Sequence, residues 1–470
     1  SGNAITSITG LTYKTVIEGK GTSVSGFDIT TKSGLITLFD NREITASPTK
    51  TEEWNVTVTF VNYNVNQTGN AGKSFNAKLM IQQEEYELTL ADICAGKTLS
   101  DCVISQYTGT QGDNALYYHN STLTNGAGDN SYRYAGGDYV LTEAGKATGA
   151  TMMIGYNNSV TTALIDFYCN GTKQYVGYAS SCSTSHYYLI KGDTTQYQTY
   201  NEALNASVEK GYLTKDNVKN FVCFGSDATT CPTENLYRII GVFNNHVKLI
   251  KYDYAKSSLL GTDGDFSQEY TSNYFSGEQG ESPSSNSLYY WNNAGTNTWS
   301  ASKLNTVNLN TNFTTNIGTA WANKIATTTW KVGGGTYANL RDAVPKTAYQ
   351  YEVGSSASTT TYDAKIGLIY VSDYYYSASP SAWTLVGYNS DYTKSYASAK
   401  GENWLYGGGW DWTISRSSDV SDYAFGVNDT GVVYYNIVYY NYGVRPSFSL
   451  LSSTTYVSGS GSMSDPVRIN

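Results

Sequence analysis

Six cysteines have the most clearly defined chemistry in this 470-residue chain, and they follow one another as three couples, each closing a short loop rich in Gly, Ser, Thr or Asp. Pairing of nearest neighbours is the simplest arrangement. Zinc would favour CxxC spacing with further Cys or His nearby, and the chain has only three His. We therefore expect disulfides, which indicate an oxidising, extracytoplasmic compartment. The predicted pairs are Cys94–Cys102, Cys169–Cys182 and Cys223–Cys231.

Other reactive or ligand-binding motifs are weak. The net charge is −9 and basic residues do not cluster, which argues against a nucleic-acid partner because phosphate binding needs several cations on one face. Asp263-Gly264-Asp265 offers too few oxygen ligands for calcium and favours a solvated turn. GxSxG, HExxH and phosphate-loop motifs are missing from the sequence. We expect no metal, no cofactor and no enzymatic activity.

Tyrosine is abundant, with 44 residues, and five of them fall in the eleven residues 432–442, which we call the window. The window carries no charge, and its Val433-Tyr434-Tyr435-Asn436 segment recurs as Val438-Tyr439-Tyr440-Asn441. Such a composition is typical of a buried β-strand. It also suits a recognition surface, because tyrosine presents a large, stiff and amphipathic contact area. The residues alone leave both interpretations open.

The segments that flank the window resemble a known family. Four segments carry the resemblance: the Trp- and Gly-rich Trp404–Arg416, the window, Gly443-Val444-Arg445-Pro446-Ser447-Phe448 and Asp465–Ile469. Together they look like a variable protein of a diversity-generating retroelement. The resemblance covers about 221–470. It implies a C-type-lectin-like domain of the formylglycine-generating-enzyme type, and a surface in which template Asn codons have been altered at their adenines.

The resemblance also implies which positions vary and which support them. Val433 and Val438 would be fixed, Trp404 and Trp412 would fill the core, and Arg445 would hold loop carbonyls or a carboxylate beneath the surface, with Arg416 as a companion. The implied variable, ligand-binding positions are Val432, Tyr434, Tyr435, Asn436, Ile437, Tyr439, Tyr440, Asn441, Tyr442, Asp422, Tyr423, Gly426, Asn428, Asp429, Tyr406, Gly408 and Gly409.

The elements that would position these residues suggest a multidomain chain. Residues 1–90 read as an all-β immunoglobulin-like sandwich, since Trp54–Phe60 alternates apolar and polar residues and short strands are expected over 35–39 and 78–81. Residues 91–220 form a mixed, disulfide-bearing region. Residues 221–470 read as an α+β domain, the C-type-lectin-like domain of the resemblance.

Local signals add detail to this division. Thr199-Tyr200-Asn201-Glu202 is a capping box, and the helix it opens should pack against the C-terminal domain. Leu236–Phe243 and Val247–Ile250 predict a hairpin over a short turn. Apolar residues spaced three to four apart predict a helix over 300–326.

These observations favour a cell-surface ligand-binding protein of the adhesin or receptor type. Its partner would be a protein or glycan on another cell, phage or host surface. The chain shows no membrane-spanning stretch, although a removed anchor would be compatible with it. The alternatives are a pilus or stalk subunit without a diversified site and a secreted carbohydrate-active enzyme. The enzyme that gives the implied fold its name uses a pair of active-site cysteines. No cysteine follows Cys231, which argues against that chemistry in the segment after it.

Overall fold

The computed structural model divides the chain into two compact units, residues 1–86 and 87–470. In the first unit it describes the backbone of three strands only. The strands expected over 35–39 and 78–81 lie outside the described residues. The described parts of the chain are 13–19, 22–28, 55–60, 88–154, 163–174, 182–190, 194–215, 217–270 and 286–470.

The first unit contains an antiparallel sheet of three strands, β1 (Tyr13–Gly19), β2 (Thr22–Asp28) and β3 (Asn55–Phe60), in the order β2-β1-β3. Strand β3 falls where alternation predicts one, because β-branched residues at every second position suit a pleated strand with one apolar face. The sheet is compatible with a β-rich first domain. The immunoglobulin-like sandwich stays a prediction.

The second unit is built from many short strands. In chain order they are β4 (Leu116–Tyr118), β5 (Tyr132–Tyr134), β6 (Val140–Leu141), β7 (Thr151–Ile154), β8 (Ala163–Cys169), β9 (Thr172–Gln174), β10 (Ser185–Leu189), β11 (Leu213–Thr214), β12 (Phe221–Cys223), β13 (Leu236–Phe243), β14 (His246–Lys251), β15 (Phe266–Tyr270), β16 (Asn286–Tyr290), β17 (Thr328–Lys331), β18 (Thr361–Ala364), β19 (Ile366–Gly367), β20 (Asp411–Arg416), β21 (Tyr423–Val427), β22 (Val433–Ile437), β23 (Asn441–Tyr442), β24 (Ser447–Ser449), β25 (Tyr456–Ser458) and β26 (Arg468–Ile469).

The α-helices of this unit are equally short. They are α1 (Leu90–Cys94), α2 (Leu99–Ser105), α3 (Glu143–Ala147), α4 (Tyr200–Glu209), α5 (Ser257–Leu260), α6 (Thr314–Asn316), α7 (Thr319–Ala322), α8 (Tyr337–Leu340), α9 (Pro345–Glu352) and α10 (Val371–Tyr376).

The largest sheet has seven strands, in the order β19-β24-β14-β13-β5-β4 with β12 also paired to β13. Its central hairpin, β13–β14, is the one predicted, and Asn244 and Asn245 turn it with positive φ values of 48° and 62°. Asparagine tolerates this left-handed region, which a two-residue hairpin turn requires. Strands from the segments 91–220 and 221–470 therefore share one sheet.

The main core surrounds this sheet. It contains most of the tryptophans, and the first disulfide, Cys94–Cys102, is buried within it. The tryptophans of this cluster are Trp291, Trp299, Trp321, Trp330, Trp404 and Trp412.

A smaller core forms around β8, β10 and α4. Thr199 caps α4 as predicted, since its side chain accepts from the Glu202 N–H while the Glu202 carboxylate accepts from the Thr199 N–H. The expectation that α4 packs against the C-terminal domain is wrong. Ala203 and Leu204 pack instead with Phe167 of β8, so the helix completes the middle segment's own core.

The helix predicted over 300–326 is interrupted. A π-helix spans Leu304–Phe313 and is followed by α6, a break at Gly318 with φ 87°, and then α7. Asparagine side chains explain the segment's polar composition, because Asn308 donates to the Leu260 carbonyl at 2.8 Å and Asn310 donates to the Ile366 carbonyl at 2.9 Å. These residues hold neighbouring loops, a role that helical periodicity does not reveal.

All three predicted disulfides are present. Of the helices in the described residues, none combines the length and the apolar character needed to cross a membrane. The chain is thus a β-rich protein of several small, mostly antiparallel sheets, joined by short helices and disulfide-closed loops.

Candidate ligand-binding surface

The window begins in a small antiparallel sheet of order β20-β21-β22. Strand β22 lies beside β21, with Tyr434 opposite Gly426 and Tyr435 opposite Phe425. At the start of the strand the Val433 N–H donates to the Gly387 carbonyl at 3.1 Å. At its end the Ile437 N–H donates to the Asn436 side-chain oxygen at 2.9 Å. These bonds satisfy donors at both ends of β22.

The chain turns sharply after β22. The Tyr440 N–H donates to the Ile437 carbonyl, and the Val438 carbonyl accepts from the Asn292 N–H at 3.0 Å. The next strand, β23, then pairs with β16 of a different sheet. The window therefore has a strand half, Val433–Ile437, and a loop half, Val438–Tyr442. Val433 and Val438, one from each half, are both fully buried.

The strand half presents two half-buried tyrosines held by other rings. The ring centroid of Tyr435 lies 4.9 Å from that of Tyr423 and 3.7 Å from that of Tyr337, which meets it edge-on. Tyr434 meets Trp410 edge-on at 6.0 Å. Edge-on and tilted arrangements are favourable at centroid separations of about 4.5–7 Å, so Tyr423 and Trp410 stabilise these tyrosines, and the closer Tyr337 ring restricts the direction of Tyr435.

A guanidinium lies beside the same tyrosines. The Arg341 Cζ is 4.6 Å from the ring centroids of Tyr337 and Tyr388, 5.9 Å from that of Tyr434 and 5.5 Å from that of Tyr435. Its Nε donates to Asp342 at 2.9 Å. A cation over several ring faces is attracted by their quadrupoles and is less hydrated than in open solvent. A partly desolvated guanidinium, paired with Asp342, therefore lies beside the strand half.

The loop half is more open. Tyr439 and Tyr440 each expose 48% of their surface, and their ring planes lie within 12° of each other with centroids 6.5 Å apart. Tyr440 and Tyr442 are similarly aligned at 6.5 Å and 25°, and Tyr442 stacks on Trp410 at 4.8 Å and 24°. These four near-parallel rings, Tyr439, Tyr440, Tyr442 and Trp410, form what we call the aromatic strip.

A buried ion pair lies beneath the window. The Arg445 Nε donates to Asp411 Oδ2 at 2.8 Å, and its Nη2 donates to the Leu405 carbonyl at 2.8 Å. Burial raises the pKa of Asp411 above its ordinary value, while the Arg445 charge opposes that rise; the Asp411 carboxylate in turn raises the pKa of Arg445. We describe the pair as ionised, because the guanidinium and carboxylate are in direct contact. Arg445 thus joins β20 to the loop before it.

The two scaffold tryptophans are buried and hydrogen-bonded. The Trp404 indole N–H donates to the Tyr134 carbonyl at 2.9 Å, and the Trp412 indole N–H donates to the Tyr289 carbonyl at 3.0 Å. Arg416 is half-buried, and its Nε donates to the Val332 carbonyl at 3.1 Å. These residues connect the sheet of β20–β22 to the main core.

The remaining predicted positions differ in exposure. Asn428 closes the turn between β21 and β22, since its side-chain oxygen accepts from the Thr430 and Val432 N–H groups at 3.0 Å. The window positions that are partly or largely exposed are Tyr434, Tyr435, Asn436, Ile437, Tyr439, Tyr440 and Asn441. The outer positions that are partly exposed are Gly408, Asp422, Tyr423, Asn428 and Asp429.

Five predicted positions do not contribute to the exposed surface. Gly426 has no room for a side chain, because a Cβ there would meet the Asp411 carbonyl oxygen at 2.5 Å. Tyr442 is enclosed between Trp410 and Trp412, and its hydroxyl accepts from Asn436. Tyr406 is buried, and its hydroxyl donates a hydrogen bond to the Asp429 carbonyl. The other two buried positions are Val432 and Gly409.

Four residues of this surface were missed by sequence reasoning. Trp410 lies within the Trp- and Gly-rich segment, so its position beside the window could have suggested it. Tyr337, Arg341 and Tyr388 are distant in sequence and belong to no motif. Only the tertiary structure brings them to the edge of β22.

Two buried titratable groups of the second unit, Glu352 and His119, have structural roles. Glu352 is buried and accepts from the Val371 and Ser372 N–H groups at 2.9 and 2.8 Å and from the Ser415 hydroxyl. Burial raises the pKa of Glu352 to about 7. His119 is buried, its Nδ1 accepts from the Ala127 N–H, and burial lowers its pKa well below the ordinary value. Neither side chain lies open to a substrate.

Across the described residues, His, Cys, Asp and Glu side chains nowhere gather in threes that could hold a metal ion. The solvated turn expected at Asp263-Gly264-Asp265 is wrong for Asp265, whose carboxylate is buried and accepts from backbone N–H groups. The carboxylate accepts from the Leu304 N–H at 2.7 Å and the Asn293 N–H at 3.0 Å. This carboxylate positions two segments of the chain.

Comparison with protein-family models, with curated proteins and with solved structures found no match to this chain.

Proposed function

We propose that the chain is a ligand-binding protein of the cell surface, of the adhesin or receptor type. In this proposal residues 221–470 form a C-type-lectin-like variable domain, and the window is the recognition surface that a diversity-generating retroelement alters. The partner is a protein or glycan on another cell, phage or host surface. The observation that carries the proposal is the division of the window between buried valines and outward tyrosines.

A binding surface whose residues are substituted repeatedly needs this division between buried and exposed positions. Val433 and Val438 are fully buried, whereas Tyr439 and Tyr440 are about half exposed. Replacing an exposed side chain changes stability little, while replacing a buried valine leaves a cavity. A mutational process that kept the valines and changed the exposed tyrosines would therefore alter the surface and preserve the fold.

Support beneath the window favours the same function. A binding residue gains affinity when its direction is fixed before the ligand arrives. The Arg445–Asp411 pair, the Trp412 indole and the rings around Tyr435 provide such fixing. The three disulfides are compatible with an extracytoplasmic location, where oxidised cysteines persist.

The alternative of a pilus or stalk subunit is favoured by the antiparallel sheet of the first unit, which suits a spacer. A spacer and a variable domain are compatible within one surface protein. The stalk subunit differs from the proposed binding protein only in lacking a diversified site. The gene locus that encodes the chain distinguishes these two functions.

Sequencing that locus tests the proposal. We expect a reverse-transcriptase gene and, near it, a close copy of the segment that encodes the window, with Asn codons where the chain has Tyr, Asn or Ile. A locus with neither the copy nor the reverse transcriptase would contradict the diversified site and leave the stalk subunit as the better description.

A further inference from the structure

The aromatic strip limits the chemistry of the ligand. We propose that it binds a neutral polysaccharide, with sugar rings lying on the faces of Tyr439 and Tyr440. This inference rests on the proposed function, because it takes the window as the binding surface. It adds the ligand class and assigns the contact to the loop half.

The alignment of the rings in the strip favours a polysaccharide. Tyr439, Tyr440 and Tyr442 follow one another with near-equal centroid spacings of 6.5 Å and small angles between their planes. A pyranose ring has an apolar face of C–H groups and a rim of hydroxyls, so it matches an aromatic ring that is apolar on its face and polar at one end. Two successive sugar units of a chain can use the two exposed rings, Tyr439 and Tyr440, while the buried Tyr442 continues their alignment towards Trp410.

The side chains of the loop half carry no charge, which favours a neutral ligand. Every side chain of the loop half is Val, Tyr or Asn. A protein partner has charged side chains at roughly a quarter of its positions, and burying them without counter-charges is costly. A neutral polysaccharide has no ionic group to desolvate. Its hydroxyls can instead bond to amide and phenol groups.

Polar residues near the exposed rings also suit a polysaccharide. The turn formed by residues 292–295 lies beside Tyr439, since a Cβ on Gly295 would be 3.9 Å from the Tyr439 Cδ1. Asn293 in this turn is exposed. Asn441, next to Tyr440 in the chain, donates to the Ser267 hydroxyl at 3.1 Å. Asn293 and Asn441 therefore place neutral hydrogen-bonding groups near the exposed rings, as a ligand rich in hydroxyls requires.

Affinity electrophoresis of the full chain tests the inference. Native gels would contain soluble β-1,3-glucan, mannan, galactan or xylan as neutral probes and alginate as an acidic probe. We expect at least one neutral polysaccharide to retard the protein. Tyr439→Ala and Tyr440→Ala should each weaken that binding about tenfold, because each removes one stacking surface.

Tyr351→Ala is the matched control. Tyr351 is also an exposed tyrosine, but it lies on α9, and its replacement should leave retardation unchanged. Thermal unfolding of all three variants would show that the fold is retained. Retardation by no neutral probe, or equal retardation of the wild type and the two strip variants, would overturn the inference and leave a protein as the ligand.

Retardation by alginate alone would also overturn the inference. It would indicate that Arg341, and not the aromatic strip, contacts the ligand. The failure of this inference is distinguishable from failure of the proposed function. A locus with a template copy and a reverse transcriptase would keep the proposed function even if no polysaccharide binds.

Discussion

The two halves of the window have nearly the same residues and different surroundings. In the strand half, Tyr435 is enclosed by Tyr337 and Tyr423, and Arg341 lies over its ring. In the loop half, Tyr439 and Tyr440 extend from a turn and expose about half of their surface. The repeated Val-Tyr-Tyr-Asn sequence therefore serves packing in one copy and exposure in the other.

The difference shows how one surface can be both rigid and substitutable. Rings that contact each other contribute to stability, and their loss affects the whole sheet. Rings that contact mainly solvent are available to a ligand, and their loss affects binding alone. Variants in each half, and in the support common to both, should separate these contributions.

The largest effect should come from the common support. Arg445→Ala leaves the buried Asp411 carboxylate without its counter-charge, and breaking a buried pair in this way costs about 3–5 kcal/mol. Urea unfolding would measure the loss. Arg416→Ala is the matched control, because Arg416 is half exposed and bonds to neutral oxygens; we expect it to cost about 1 kcal/mol. Equal losses in the two variants would contradict the role given to Arg445.

A second effect should be a pH dependence of the unfolding free energy, with a change on the order of 3 kcal/mol. Burial raises the pKa of Glu352 from 4.5 to about 7, so the native state keeps a proton that the unfolded chain releases. Stability should therefore fall as the pH rises from roughly 4.5 to 7 and level off above that range. Urea unfolding at several pH values would measure this slope.

Glu352→Gln supplies the control for the pH prediction, because glutamine does not titrate. Its unfolding free energy should lack the fall between pH 4.5 and 7 that Glu352 causes. The same slope in the variant and in the wild type would assign the pH dependence to other groups.

A third effect belongs to the strand half. Tyr435→Ala removes a half-buried ring from contact with Tyr337 and Tyr423 and should lower the unfolding free energy by about 2 kcal/mol. Tyr435→Phe keeps the ring and should recover most of this loss. A Phe variant as unstable as the Ala variant would show that the ring contacts are not what stabilises the strand.

The smallest effect on stability should come from the loop half. Tyr440→Ala removes an exposed ring and should change the unfolding free energy by about 0.5 kcal/mol or less. Thermal unfolding beside Tyr435→Ala would give the direct contrast. A loss at Tyr440 as large as that at Tyr435 would remove the distinction between the halves.

Local features of this fold are predictable from the sequence because neighbouring residues determine them. The cap at Thr199, the turn at Asn244-Asn245 and the three short-range disulfides are of this kind. The interrupted helix at 304–322 is not, because its asparagines bond to loops that are distant in sequence.

The burial of individual window residues also depends on distant contacts. Val433 and Val438 are five positions apart, so in one straight strand they would face opposite sides. Both are buried because the chain turns after Ile437 and joins β16 of another sheet. The same change of sheet encloses Tyr442 between Trp410 and Trp412, which the repeat alone does not indicate.

The most direct test of the central claim is to sequence the window from many copies of the gene together with its template repeat. The account predicts substitutions at Tyr434, Tyr435, Asn436, Ile437, Tyr439, Tyr440 and Asn441, with Val433 and Val438 constant. A window that is identical in every copy, or that varies at the buried valines as often as at the exposed tyrosines, would contradict it.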